Sequence, residues 1–96
     1  MILPVTFDPA ATADVVDAVS WYEGQRKGLG ARFYAEVRRV VNLAAAHPLR
    51  YPFIQSDIRR ISLRRFPYSI YFRAEPARLV VLAVFHARRN PSRLTP

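Results

Sequence analysis

The spacing of apolar residues changes once along this chain. From Ala11 to Ala44 they recur every three or four positions, and from Ile58 onward they alternate with arginine or run together. The first regime predicts two helices and the second predicts strands. Ahead of both, Ile2 to Phe7 is a β-rich run broken by Pro4, which reads as an edge strand or as a strand starting after Pro4, because proline has no N–H to give to a ladder. Asp8 is placed to cap a helix whose first residue is Pro9. On that helix Ala11, Val15, Ala18, Val19 and Tyr22 form one apolar face, Asp14 and Asp17 lie away from it, and the end is expected near Arg26 to Gly28. Trp21 falls off the stripe on the acidic side, where it either wedges between the two helices or marks a partner-binding spot.

Gly28-Leu29-Gly30 reads as the hinge of a helical hairpin, and the second helix is expected from about Ala31 to Ala46. Its core stripe is Phe33, Val37, Val40, Val41 and Ala44, with Arg32, Glu36 and Arg39 at pairing distance on the other side. His47 precedes Pro48 and is best read as the C-terminal cap, a catalytic role being the alternative. Residues 48–56 form an apolar connector in which Tyr51 and Phe53 are expected to lie over the sheet or the helix ends.

Three strands follow. In the first, Ile61 and Leu63 share one face while Arg60, Ser62 and Arg64 share the other. A turn at Arg65-Phe66-Pro67 leads into Tyr68 to Arg73, and a turn at Glu75-Pro76-Ala77 leads into Arg78 to His86, whose nearly continuous apolar character predicts a central strand covered on both faces. Tyr68, Tyr71 and Phe72 are expected in the core, stacking on bases being the alternative. The chain therefore reads as a single α+β domain over residues 1–96: an N-terminal strand, a helical hairpin, then a three-stranded antiparallel meander, with the helices packed on one sheet face.

Charge changes this picture by adding a partner class. Fifteen Lys and Arg against seven Asp and Glu give a net charge of +8, and every cation except Lys27 is arginine. Arg59, Arg60, Arg64, Arg65, Arg73, Arg88 and Arg89 lie on or beside the strands, so the basic surface is rigid. A guanidinium's planar fork suits phosphate and carboxylate, which points to nucleic acid or an acidic protein. The 96 residues contain no cysteine, which excludes disulfides, thiolate metal sites and a thiol nucleophile. No metal or cofactor is expected. The N-terminus lacks a charged start and long apolar run, and Leu79 to Phe85 is too short to cross a bilayer, so a cytoplasmic protein that does not engage a membrane is expected.

The motifs Trp21-Tyr22-Glu23, Gly28-Leu29-Gly30, Arg32-Phe33, His47-Pro48, Ile58-Arg59-Arg60, Phe66-Pro67-Tyr68 with Ile70-Tyr71, and Val84-x-His86-x-Arg88-Arg89-x-Pro91 occur in an order and spacing that resembles the RelE/ParE superfamily of type II toxins, within it the ParE-like branch. The resemblance covers almost the whole chain. It implies a toxin that inhibits growth and forms a hetero-oligomer with a cognate antitoxin. RelE-like relatives cut messenger RNA on the ribosome, and ParE-like relatives poison DNA gyrase.

Metal-independent RNA cleavage needs a base for the 2′-hydroxyl, a cation over the phosphate and an acid for the leaving oxygen. The nuclease branch typically has an arginine directly after the tyrosine opening the middle strand, where this chain has Ser69. It also has an arginine just after the last strand and a tyrosine beyond it, where this chain has Ala87 and Arg93. His86 is the one catalytic candidate. Its bland reading is a strand-ending hydrogen-bonding residue. The expectation is therefore a ParE-like gyrase poison without enzymatic activity. The alternatives are a RelE-like endoribonuclease acting on the ribosome, with His86 at work, and a non-toxic basic interaction module of the same fold. Arg60, Arg64, Arg88 and Arg89 are the candidate target-binding residues, expected to converge on one partner. Trp21, Arg59, Arg65 and Arg73 are the candidates for antitoxin binding.

Overall fold

The computed structural model describes residues 2–89 and Leu94. Pro91 and Arg93, which enter the motif comparison above, lie outside the described residues. The element order is β1 (Val5–Phe7), α1 (Pro9–Gln25), α2 (Leu29–Ala46), β2 (Phe53–Gln55), β3 (Ile58–Ser62), β4 (Tyr68–Ala74) and β5 (Leu79–His86). The strands form one mixed sheet in the order β1-β5-β4-β3-β2, in which β1 runs parallel to β5 and every other pairing is antiparallel.

Helix α1 starts where its cap chemistry dictates. The Asp8 carboxylate accepts the Ala10 N–H at 2.9 Å, and Pro9 occupies the first turn, where its missing donor costs nothing. Ala11, Val15, Ala18 and Tyr22 are buried along α1, and Phe33, Val37, Val40, Val41 and Ala44 along α2, so both predicted stripes face the sheet. They meet Ile70, Phe72, Leu79, Val81 and Val84 in one continuous core. His47 caps α2, its N–H donating to the Leu43 carbonyl at 3.0 Å.

The hairpin is tighter than expected. Only Gly28 is a hinge residue, at φ 88°, whereas Gly30 is already helical and α2 begins at Leu29 rather than near Ala31. A Cβ on Gly30 would lie 2.7 Å from the Val19 carbonyl oxygen, so this glycine is a close-approach residue between α1 and α2. The Glu23 carboxylate accepts the Gly28 and Gly30 amides and so occupies the N-terminus of α2.

The meander has four strands rather than three. The connector expected over 48–56 pairs at its end with β3, through Phe53↔Arg59 and Gln55↔Ile58, and this short edge strand could not be read from a stretch holding two prolines. Tyr51 does pack on the core, while Phe53 is 57% exposed beneath the Arg59 guanidinium, which stands 3.8 Å from its ring centre. The middle of the sheet is β4, so β5 is an inner strand but not the central one. A register shift, in which Tyr71 pairs with Ala83 and Phe72 with Val81, leaves Leu82 as an extra residue. The bulge reverses the alternation of β5. Leu79, Val81 and Val84 therefore all join the helix-side core, while Ala83 and Phe85 join Ile58 and Tyr71 in a second cluster flanked by Ile54, Leu82 and Leu94.

Candidate functional site

Among the described residues, three concave regions beside this core bear on function. The first is a trough of about 530 Å³ between α1 and the second half of β5, lined by Asp14, Asp17, Trp21, Tyr68, His86 and Arg89 among others. It exists because β1 covers only the first half of β5: among the described residues, the strand pairing on that side stops at Phe7↔Val81. Helix α1 runs past the rest of β5, and Asp14 accepts the Val84 N–H at 2.9 Å. Nothing in the periodicity singled out Asp14. Asp14 was expected away from the apolar face, but it is only partly exposed and turns toward β5, one turn after the buried Ala11.

His86 ends β5 at the mouth of this trough. Its Nδ1 accepts the Arg88 N–H at 3.1 Å, and its ring stands edge-on to Tyr68 with centres 5.3 Å apart. Burial, reinforced by the Asp14 charge, pushes the Tyr68 phenol above its ordinary value, so it stays protonated. Ser69, where a nuclease would hold an arginine, is buried with its hydroxyl 3.3 Å from that of Ser62. Trp21 does not wedge between the helices. It is 59% exposed and leans edge-on against Tyr22, because the Gly30 contact brings α1 and α2 too close to admit an indole there.

The arginines expected to converge do so only in part: Arg60 and Arg89 both border the second cluster, while Arg64 is carried to the other side of the sheet. Arg60 is exposed on the sheet face away from the helices, since it alternates with Ile58 of the second cluster and pairs across β3 and β4 with Tyr71. Arg64 lies past the end of β3, where its N–H donates to Glu36 of α2 at 2.6 Å, so strand alternation no longer keeps it with Arg60. Arg89 stands over the Phe85 ring at 4.6 Å, and Arg88 is exposed in the turn after β5. Among the antitoxin candidates, Arg59 donates to the Tyr51 carbonyl at 2.7 Å and Arg73 pairs with Asp57 at 2.8 Å, so both have partners within the fold. Arg65 and Trp21 are exposed and line different concavities.

These concavities and exposed basic groups sit on a small α+β scaffold, and comparison with known proteins gives that scaffold its family. Residues 5–91 match the model of the ParE toxin of the type II toxin-antitoxin system, parDE. The chain belongs to the ParE toxin family. Among solved structures, one described as the chromosomal ParDE TA system from P. aeruginosa superposes with a TM-score of 0.78 over 88% of this chain and 96% of that one, at 16% sequence identity. That likeness is one of fold. No curated protein is similar enough to match the chain. Among the described residues of this ParE family member, no helix is long and apolar enough to cross a membrane.

Proposed function

We propose that this ParE family member arrests growth by acting on DNA gyrase rather than by cutting messenger RNA, and that a cognate antitoxin holds it inactive in a hetero-oligomer. The observation that carries the choice of target is the surroundings of His86. Its Nδ1 accepts the Arg88 amide, and Ser69 is buried where the nuclease branch holds an arginine. Arg60 and Arg64 stand on other surfaces, and Arg89, the one arginine lining the trough among the described residues, stands over the Phe85 ring. A base, an acid and a cation within reach of one phosphate are the minimum for that chemistry.

The third concavity supports the antitoxin. A groove of about 450 Å³ between β1, α1 and α2 is lined by Val5, Phe7, Val15, Val16, Tyr34 and Val41 among others, and beside it β1 is a sheet edge. An apolar segment of a partner fits the groove, and an extended one can pair with the edge. The solved relative's description as a ParDE system agrees with such a partner.

Purified protein added to gyrase and supercoiled or relaxed plasmid is expected to inhibit supercoiling or to accumulate cleaved DNA, with ribosome-bound messenger RNA left intact. Codon-specific RNA fragments that disappear in His86→Ala would instead establish the ribonuclease reading.

A further inference from the structure

The second concavity is an open pocket of about 930 Å³ where the C-terminal end of α1, the first half of α2 and the β3–β4 turn meet. Arg26, Arg32, Arg39, Arg64 and Arg65 line it, and Glu36 is its one carboxylate. Glu36 is already committed. It holds Arg39 through two hydrogen bonds of 2.7 and 2.8 Å and accepts the Arg64 amide at 2.6 Å. The guanidinium groups of Arg26, Arg32, Arg64 and Arg65 take part in none of the ion pairs among the described residues. These four like charges are brought together from the turn of the helical hairpin and from the β3–β4 turn much later in sequence. None is in an ion pair, and of the four only Arg64 acts on the Glu36 charge. Beneath them Tyr22, Leu29, Phe66 and Pro67 give the pocket an apolar floor.

We infer that this pocket binds the backbone of a single nucleic-acid strand, the guanidinium groups holding successive phosphates and the apolar floor receiving a base or sugar. The volume lies at the upper end of the about 300–1,000 Å³ typical of ligand pockets, enough for a strand to enter, whereas a duplex is too broad to enter a concavity of this size. Cations around an apolar floor form the combination that single strands meet elsewhere, with charge for the backbone and a surface for the bases. An acidic polypeptide fits less well. The β3–β4 turn is closed on itself by Leu63 N–H to the Tyr68 carbonyl and Tyr68 N–H to the Phe66 carbonyl, so no free strand edge borders the pocket for a peptide main chain to join. The edge strands of the sheet among the described residues, β1 and β2, contribute no residue to this pocket.

The test is fluorescence anisotropy of the full-length protein with a labelled single-stranded oligonucleotide over a salt series. Four phosphate contacts give a slope of log K against log salt of about −2.8, hence a loss of about fifty-fold in affinity between roughly 50 and 200 mM salt. Arg64→Gln with Arg65→Gln reduces the magnitude of that slope by about 1.4. Arg78→Gln, on the β4–β5 turn at the opposite end of the sheet where Arg78 pairs with Glu75, leaves it unchanged. Both pocket side chains are exposed, and the Arg64 amide keeps its bond to Glu36, so the fold should survive and circular dichroism checks that it does. The inference fails if binding is absent or independent of salt, or if the double variant keeps the full slope. It also fails if a glutamate-rich peptide or ATP alone displaces the strand at equal concentration, which would assign the pocket to an acidic protein or to a free nucleotide. Because binding is read without gyrase or antitoxin, its failure leaves the proposed target untouched.

Discussion

The Asp14 carboxylate accepts the Val84 amide hydrogen at 2.9 Å across 70 positions of sequence, and this bond ties α1 to the part of β5 that β1 does not reach. It satisfies a half-buried backbone donor with a charged acceptor. Asp14→Ala leaves that donor unpaired and is expected to cost about 1.5–3 kcal/mol in urea unfolding, while Asp14→Asn, which retains an acceptor oxygen, keeps most of the stability. Equal midpoints for Ala and wild type would show that water replaces the carboxylate without loss.

Two glycines give opposite signs for the same substitution. At Gly30 the new methyl would meet the Val19 carbonyl at 2.7 Å, backbone that cannot rotate aside, so Gly30→Ala must part the helices and should cost about 1–3 kcal/mol. At Gly24, within α1, nothing lies within 4 Å of the added Cβ, and Gly24→Ala should stabilise by about 0.5–1 kcal/mol. Thermal melts of the two variants should bracket that of the wild type.

Acid should loosen the contact between α2 and the β3–β4 turn. The hydrogen-bonded Arg39 guanidinium holds the Glu36 carboxyl below its ordinary range, with the Arg64 amide assisting and burial opposing. A depressed folded-state value means that the contribution is fully present above the unfolded value and is lost as pH falls through the folded one. Stability should therefore decline on acidification below the ordinary carboxylate range. Glu36→Gln should melt lower near neutrality and show a smaller decline, and parallel wild-type and variant curves would refute the assignment.

The groove between β1 and the hairpin can be closed to a partner without touching the core. Val16 and Tyr34 are 59% and 47% exposed. Val16→Glu with Tyr34→Glu is expected to fold, to remain growth-arresting and to lose rescue by co-expressed antitoxin, because a charge must be desolvated wherever an apolar anchor docks. Rescue at the wild-type level would move the antitoxin elsewhere.

Arg88 and Arg89 are exposed just past β5, and Arg89 lines the trough that holds Trp21. If they meet the target, Arg88→Ala with Arg89→Ala should abolish growth arrest with little change in melting temperature, since each charge-assisted contact is worth about 1.5–3 kcal/mol. Persistent arrest in that variant, with arrest lost in Arg32→Ala with Arg39→Ala, would place the harmful surface on the hairpin.

Local rules were legible along the chain. The Asp8 cap, Pro9, the stripes of α1 and α2, the stop at His47-Pro48 and the alternation of Ile61 and Leu63 all act within a few residues, and all appear in the structure. The family was legible for the same reason, because its motifs are short runs in fixed order. Whatever depended on strands meeting was not. β2 becomes a strand only because β3 lies beside it, and the bulge at Leu82 is invisible in a run where every residue is apolar.

Sequence alone thus determined the helices, their buried faces, the α+β class and the excess of arginine, since periodicity, capping and charge are properties of neighbouring residues. Tertiary structure decided which arginines share a surface. Arg60 and Arg64 are four apart, and extended alternation would keep them together, but β3 ends at Ser62, and the turn carries Arg64 to Glu36 of α2. Gly30 likewise changed from hinge to contact point because α1 and α2 pack closely enough to forbid a Cβ. Distances between elements are set by packing over the whole core, and no local pattern encodes them.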